Sequence, residues 1–133
     1  MTLALHAYLH FNGNAKQALD FYKQVFGGEP QVTTWGDFAA STGGHFVVED
    51  KFKDMVQNSV LATKNFTLMI NDGGPMGDGA VGENISLTLA GDDSETLTQY
   101  FNALSEGGTV TKPLDTFGML TDKFGVQWMV SIG

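Results

Sequence analysis

The side chains best suited to chemistry in this sequence are three histidines, His6, His10 and His45. Imidazole binds divalent metals and moves protons near neutral pH. Glu49 and Asp50 follow His45 by four and five residues, a spacing that on a helix would direct all three towards one ion. The segment from His45 to Glu49 instead has the pattern of a short strand, in which residues four apart are separated by about 13 Å. We therefore expect no metal site at His45.

Composition excludes several kinds of chemistry. The 133 residues contain no cysteine, which excludes disulfides, thiol catalysis and thiolate zinc sites. A formal net charge of -8 makes nucleic acid an unsuitable partner. No apolar run approaches the roughly 18 residues that a membrane helix needs, and the start of the chain lacks the basic flank of a signal peptide. We therefore expect a cytoplasmic protein that binds no membrane.

A glycine-rich stretch divides the chain. Residues 72–82, DGGPMGDGAVG, contain five glycines and one proline, which rules out regular structure. Asp72 and Asp78 lie in it, but the spacing of a phosphate-binding loop or an EF-hand is absent. We interpret 73–82 as a linker within a single domain, 1–133, between a first module at 1–72 and a second at 83–133.

A strand, a turn, a helix and a Gly-Gly pair occur in each module. Residues 6–28, HAYLHFNGNAKQALDFYKQVFGG, are repeated in degraded form at 84–108, NISLTLAGDDSETLTQYFNALSEGG. The alignment pairs Leu9 with Leu87 and Tyr22 with Tyr100. Each strand alternates in polarity, and each helix carries apolar residues at helical spacing. A duplicated unit of this kind predicts two similar modules.

Each helix of the repeat has a polar start. Asn14 is followed three residues later by Gln17, and Asp92 by Glu95, both as in a capping box. The first module is expected to continue with strands at 30–35, 45–49, 59–63 and 66–71 and a loop at 36–44, after a first strand at 1–11 and a helix at 15–26. In the second module, further strands are expected at 109–112, 118–121 and 126–132.

These elements predict an α+β fold of two paired β-α-β-β-β modules, which form a curved mixed sheet with the helices outside. The face opposite the helices would combine polar and apolar side chains, as in a small-molecule pocket. We interpret His10, near its strand end, as rim or surface. The residues expected on this face are His6, Tyr8, His10, Thr67, Met69, Asn84, Ser86, Thr88, Gln127 and Met129.

Several segments resemble one known family. They are YLHFNGNAKQALDFYKQVFGG, LMINDGG, ENISLTLAGDD, EGGTVTKPL and above all GMLTDKFGVQWMV. The sequence is similar here to the PhnB-like subgroup of the glyoxalase, bleomycin-resistance and dioxygenase superfamily, also called the vicinal oxygen chelate superfamily. The resemblance extends from about residue 8 to residue 130 and implies paired β-α-β-β-β modules and a homodimer.

The resemblance also implies a place for a divalent metal, on the first and last strand of each module. The matching residues are His6, Met69, Asn84 and Met129, of which only His6 is a good ligand. Catalytic metal sites of this type need about three His or carboxylate ligands, and thioethers are weak, soft donors. We therefore expect no metal and no cofactor.

Two hypotheses for function follow. The first is a small-molecule binding protein whose metal site is degraded. The alternative is a metal-dependent lyase, isomerase or dioxygenase of the vicinal oxygen chelate type. A methyltransferase, a name sometimes attached to this subgroup, is disfavoured because no strand is followed by a glycine-rich nucleotide loop. The residues expected to bind the ligand are His6, Tyr8, Thr67, Met69, Asn84, Ser86, Gln127 and Met129.

Overall fold

The computed structural model describes residues 4–74 and 85–133. The chain has two compact units, and these two ranges belong to one unit each. Most of the expected linker, from residue 75 onwards, lies outside the described residues, so the expected module boundaries remain predictions. The first unit contains, in order, β1 (Ala7–Phe11), α1 (Ala15–Phe26), β2 (Glu29–Thr34), α2 (Trp35–Ser41), a 3-10 helix (Asp50–Phe52), β3 (Val56–Ala62) and β4 (Thr67–Asp72). The second contains β5 (Leu87–Gly91), α3 (Ser94–Ser105), β6 (Thr109–Lys112), β7 (Phe117–Thr121) and β8 (Gln127–Ile132).

Each unit forms its own four-stranded mixed sheet, which confirms the expected α+β class. The strand order is β1-β4-β3-β2 in the first sheet and β5-β8-β7-β6 in the second. The first and last strands of each unit run parallel, and the other pairs are antiparallel. Helix α1 packs on the first sheet and α3 on the second. Both sheets therefore have one face against a helix and one face opposite it.

The buried side chains lie between each helix and its sheet. In the first unit Tyr22 of α1 is fully buried, together with Leu61 and Ile70 of the sheet. In the second, Leu104 of α3 is fully buried, together with Val130 of β8. Burial of such side chains is the main favourable contribution to folding, about 1.5–3 kcal/mol for each. The expected inward direction of Leu68 and Ile70 is confirmed.

The start of α1 is stabilised by a residue distant in sequence. The expected capping box is wrong, because Asn14 makes no side-chain hydrogen bond to the helix. Asp72, at the end of β4, accepts hydrogen bonds at Oδ1 from the backbone N–H groups of Gly13 (2.6 Å) and Ala15 (3.1 Å), and at Oδ2 from that of Val56 (3.1 Å). Asp72 therefore joins the helix start to two strands, a role that its position before the expected linker does not indicate.

The cap of α3 is Asp93, not Asp92 as the sequence predicted. Asp93 accepts hydrogen bonds from the backbone N–H of Thr96 (3.1 Å) and from its hydroxyl (2.8 Å). These bonds hold the pKa of Asp93 below its ordinary value. Because the pKa is lowered on folding, the carboxylate stabilises the fold above the unfolded pKa and loses that effect as the pH falls through the folded value.

We therefore expect Asp93→Ala to lower the melting temperature at pH 7, and the difference from the wild type to shrink as the solution is acidified below about pH 4. The matched control is Asp92→Ala, because the Asp92 side chain makes no hydrogen bond to any residue in 4–74 or 85–133. Differential scanning calorimetry across this pH range measures both variants. Equal melting temperatures for the two variants at pH 7 would contradict the assignment of the cap.

The segment expected to be a loop at 36–44 begins with a helix. Thr34 accepts a hydrogen bond from the backbone N–H of Asp37, and the Asp37 carboxylate accepts one from that of Thr34, so a complete capping box starts α2. Trp35, the first residue of α2, is 4% exposed and donates its indole N–H to the backbone oxygen of Asp72 (3.2 Å). The small residues of this segment do not show a helical pattern of apolar positions. The Thr34–Asp37 pair, however, has the spacing of a capping box and could have indicated the start of the helix.

Two expected strands also differ from the structure. Residues 1–3 lie outside the described residues, and β1 begins only at Ala7. The expected strand at 45–49 is wrong, because the segment follows a turn in which the backbone N–H of His45 donates to Thr42. Phe46 instead stacks on Trp35, with ring centroids 5.9 Å apart. This contact holds the segment against α2 rather than in a sheet.

The remaining strand and turn predictions agree with the structure to within one residue, except that β3 begins at Val56, three residues before the expected start at Ser59. The hairpin of β3 and β4 turns at Lys64 and Asn65 as expected. In the last turn Asp122 accepts hydrogen bonds from the backbone N–H groups of Phe124 and Val126, and also from the indole of Trp128 (2.9 Å). Among the described residues, none of the helices is long and apolar enough to span a membrane.

Candidate functional site

The first open face is the surface of the first sheet opposite α1. Leu68 and Ile70 point towards the helix, so strand alternation directs Met69 and Asn71 the other way. Tyr8 of β1 is the cross-strand partner of Met69, and His10 that of Asn71. Asn58 of β3 lies on the same face, because its side chain accepts a hydrogen bond from the Tyr8 hydroxyl. Tyr8, His10, Asn58, Met69 and Asn71 therefore form one continuous surface.

Tyr8 is held on this face by its hydroxyl. The hydroxyl donates a hydrogen bond to Oδ1 of Asn58 at 3.0 Å. The side chain is 37% exposed, and its partial burial raises the pKa of Tyr8 above the ordinary tyrosine value. The phenol thus remains neutral at physiological pH and keeps its hydrogen to donate. Tyr8 therefore offers its ring and a hydroxyl oxygen lone pair to a ligand.

His10 is oriented by two neighbours. Its ring stacks on that of Tyr8, with centroids 4.7 Å apart and planes 19° from parallel. Its Nδ1 lies 2.6 Å from Oδ1 of Asn71, and Asn71 in turn donates from Nδ2 to the backbone oxygen of Gln57 (3.2 Å). The sequence predicted only a rim or surface position for this histidine. Its ordered ring makes it part of the site.

The other residues expected in the first module have fewer contacts. His6 is exposed and lies one residue before β1. Thr67 begins β4 and is half-buried. Neither side chain makes a hydrogen bond with the rest of the described residues. On the first open face, Tyr8, His10 and Met69 are therefore the main candidates for contact with a ligand.

The second open face is the surface of the second sheet opposite α3. Met129 of β8 has Thr88 and Met119 as its cross-strand partners on either side. The Ser86 hydroxyl donates to the Met129 sulfur at 3.3 Å, and the Gln127 amide donates to the backbone oxygen of Ile85 at 3.4 Å. A hollow of about 310 Å³ lies against this surface, lined by Ile85, Ser86, Thr111, Met119, Gln127 and Met129 among others.

The strand register corrects the alignment of the two repeats. Tyr8 is the partner of Met69 and Thr88 is the partner of Met129, so Tyr8 corresponds to Thr88. By the same register, His6 corresponds to Ser86. The sequence had matched His6 with Asn84, which lies outside the described residues. The register difference is even, so both assignments direct the side chain to the same face.

Within residues 4–74 and 85–133, no group of three or more histidine, aspartate or glutamate side chains is arranged to hold a metal ion. His45 and Glu49 belong to no such group, and Glu49 instead approaches Lys51 at 3.6 Å. Of the positions that the family resemblance matched to metal ligands, Met69 and Met129 offer thioethers. One of these sulfurs already accepts the Ser86 hydroxyl.

Comparisons with known proteins agree with this architecture. The structure of PA1353 from Pseudomonas aeruginosa is similar with a TM-score of 0.82 and 33% identity over 98% of both chains. A putative 3-demethylubiquinone-9 3-methyltransferase, the PhnB protein from Bacillus cereus, is similar with a TM-score of 0.67 and 20% identity over 98% of this chain and 100% of that one. The fosfomycin resistance protein FosX from Listeria monocytogenes, in complex with Mn(II) and sulfate, has a TM-score of 0.63 and 12% identity over 100% and 93%.

The two four-stranded mixed sheets with their helices thus define the α+β fold of glyoxalase-type proteins. A family model described as 3-demethylubiquinone-9 3-methyltransferase matches residues 4–131. The chain belongs to this family, and its fold is shared with the FosX protein.

Proposed function

We propose that the protein binds a small, partly aromatic organic molecule on the open faces of its sheets, without a catalytic metal. The hollow on the second open face is the observation that carries the proposal. Its walls combine the apolar side chains of Ile85, Met119 and Met129 with the polar groups of Ser86 and Gln127. Such a mixture buries an apolar ligand while a few hydrogen bonds orient it.

The methionines favour ligands with an aromatic ring. Met119 and Met129 are cross-strand partners, and Met119 is 37% exposed. Thioethers are flexible and polarisable, and they make favourable contacts with ring edges. The Ser86 hydroxyl already donates to the sulfur of Met129, which holds that side chain in place. A planar ligand in this hollow would therefore contact an apolar surface that is already ordered before the ligand binds.

The metal that the superfamily fold implies does not fit the described residues. His6 is exposed and is only one good ligand, whereas a divalent ion needs several. Met69 supplies only a soft thioether. The alternative function, a metal-dependent lyase, isomerase or dioxygenase, would need at least three good ligands. No arrangement within 4–74 and 85–133 favours it, so we derive no reaction step through a metal.

The family description names a methyl transfer. Methyl transfer needs a bound methyl donor, and the turn between β1 and α1, Asn12-Gly13-Asn14, lacks the repeated glycines of a nucleotide-binding loop. The proposal therefore takes no chemistry from that name. The homodimer expected from the family resemblance and the cytoplasmic location expected from the sequence remain part of the proposal.

A fragment screen monitored by ¹H–¹⁵N NMR tests the proposal. We expect small aromatic compounds to shift the amide signals of β5, β7 and β8, and Met129→Glu to weaken their binding at least about tenfold, because a carboxylate would be buried against the ligand. Since Met129 is only half-buried, the variant should remain folded.

The matched control is Gln99→Ala, which alters an exposed residue of α3 and should leave binding unchanged. Added manganese or zinc should not alter the affinity of the wild type. Binding that survives Met129→Glu, or that requires a metal ion, would refute the proposed site.

A further inference from the structure

A hydrogen-bond chain on the first open face determines which ring nitrogen of neutral His10 carries hydrogen. A backbone carbonyl oxygen accepts hydrogen bonds and cannot donate them. The Asn71 atom that lies 3.2 Å from the Gln57 oxygen must therefore be the amide nitrogen. This fixes the orientation of the Asn71 amide and directs its oxygen towards His10.

The oxygen of Asn71 in turn decides which ring nitrogen of His10 carries hydrogen. Nδ1 of His10 and Oδ1 of Asn71 are 2.6 Å apart, a distance that requires a proton between them. An amide oxygen has no proton to give, so Nδ1 must donate. In the neutral ring only one nitrogen carries hydrogen, and Nε2 is therefore left with an unprotonated lone pair.

The remaining lone pair has no hydrogen-bond partner among the described residues, and His10 is exposed. The ring cannot easily rotate away, because it is stacked on Tyr8 and bonded to Asn71. An oriented, exposed acceptor beside an aromatic ring is a preorganised binding group, since little freedom is lost when a ligand arrives. Met69, the cross-strand partner of Tyr8, adds an apolar contact on the same face.

The geometry points to His10 as a ligand-binding residue whose Nε2 accepts a hydrogen bond from a hydroxyl or N–H group carried by an aromatic ligand. The inference rests on the proposed function and narrows it to aromatic ligands with a donor on the ring, such as phenols. The ring of the ligand contacts Tyr8 and Met69, and its donor reaches His10. A ligand in which that donor is methylated loses the hydrogen bond and leaves the Nε2 lone pair unpaired.

The first experiment measures the tautomer directly and needs no ligand. Long-range ¹H–¹⁵N NMR at about pH 8.5, above the ordinary histidine pKa of about 6.5, distinguishes protonated from unprotonated ring nitrogens. We expect His10 to carry its proton on Nδ1, and the Asn71→Leu variant to shift it towards Nε2. The exposed His45, whose ring makes no hydrogen bond to the described residues, serves as the internal control. A wild-type His10 protonated on Nε2 would overturn the inference.

The second experiment uses phenol and anisole, in which a methyl group replaces the hydroxyl hydrogen and so removes the donor. We expect NMR titrations to show phenol binding about tenfold more tightly than anisole, the effect of one hydrogen bond. In His10→Phe, which keeps a ring for Tyr8 to stack on, the ratio should fall to about one. Asn71→Leu should also reduce it.

Different results would contradict the role of His10 and the proposed binding of small molecules. Equal binding of phenol and anisole to the wild type, or a ratio unchanged in His10→Phe, overturns the role of His10 while leaving small-molecule binding intact. Absence of phenol binding to the wild type also overturns it, and the fragment screen on the second open face then decides the proposed function independently.

Discussion

Replacing Asp72 by alanine should destabilise the protein by about 3–5 kcal/mol, because it leaves three backbone N–H groups without an acceptor. The carboxylate is 1% exposed and accepts hydrogen bonds from Gly13, Ala15 and Val56. Each orphaned buried donor costs roughly 1–3 kcal/mol, and water that enters the space left by the side chain recovers part of this. Equilibrium urea unfolding followed by circular dichroism measures the change in the free energy of unfolding.

Asp72→Asn provides an intermediate case. Its remaining oxygen can still accept from Gly13 and Ala15, but its NH₂ group would face the backbone N–H of Val56. We expect a loss of about 1–3 kcal/mol. The control is Asp20→Ala, an exposed carboxylate on α1 whose removal should change stability by less than about 0.5 kcal/mol. If Asp72→Ala were as stable as Asp20→Ala, Asp72 would not be the acceptor that closes the first unit.

The role of Asp72 illustrates what periodicity does not reveal. The bounds of α1, Ala15–Phe26, were predicted correctly because six buried residues recur along one face of the helix. The group that satisfies the start of this helix comes from the last strand of the unit, 57 residues away from Ala15 in sequence. A local pattern can place a helix, but a cap supplied across the sheet depends on strand order, which local patterns do not contain.

The same limit applies to the candidate site. Alternation along β1 and β4 correctly placed Tyr8 and Met69 on one face, since side chains in a strand alternate. The contacts that give the face its chemistry are between strands: Tyr8 with Asn58, and His10 with Asn71. Cross-strand register determines them, and a single strand does not specify its register with a neighbour. For this reason the strand pattern left His10 at the rim.

The repeat was detected from the sequence, but its register was not correct throughout. Three residues separate β1 from α1 and only two separate β5 from α3, so the strands and helices do not align at one constant offset. The fully buried Tyr22 consequently corresponds to the buried Phe101 rather than to Tyr100. The extra residue Glu106 restores the strand offset at the second Gly-Gly pair. The two Gly-Gly pairs mark the repeat most reliably, because a side chain at Gly28 or at Gly108 would collide with the neighbouring strand.

Gly28 should tolerate alanine far less well than its neighbour Gly27. Both have positive φ angles, of 101° and 74°. A Cβ on Gly28 would lie 2.3 Å from the backbone oxygen of Ala62, whereas one on Gly27 would meet no atom within 4 Å. We expect Gly27→Ala to cost about 1–2 kcal/mol, from backbone strain alone, and Gly28→Ala about 3 kcal/mol or more, from strain and the forced separation of β2 from β3. Urea unfolding of the two variants measures the difference.

Gly108 isolates the steric contribution in the second unit. Its φ lies outside the left-handed range, yet a Cβ there would lie 2.3 Å from the backbone oxygen of Thr121. Gly28 precedes Glu29, the partner of Ala62, and Gly108 precedes Thr109, the partner of Thr121, so the same close approach occurs at the start of β2 and of β6. We expect Gly108→Ala to lower the free energy of unfolding by about 2–3 kcal/mol, with no contribution from backbone strain. If Gly108→Ala cost little and Gly28→Ala cost no more than Gly27→Ala, backbone conformation alone would explain the glycine pairs of the repeat. If Gly28 and Gly108 are both more sensitive than Gly27, the strand pairing next to each of them requires a residue without a side chain.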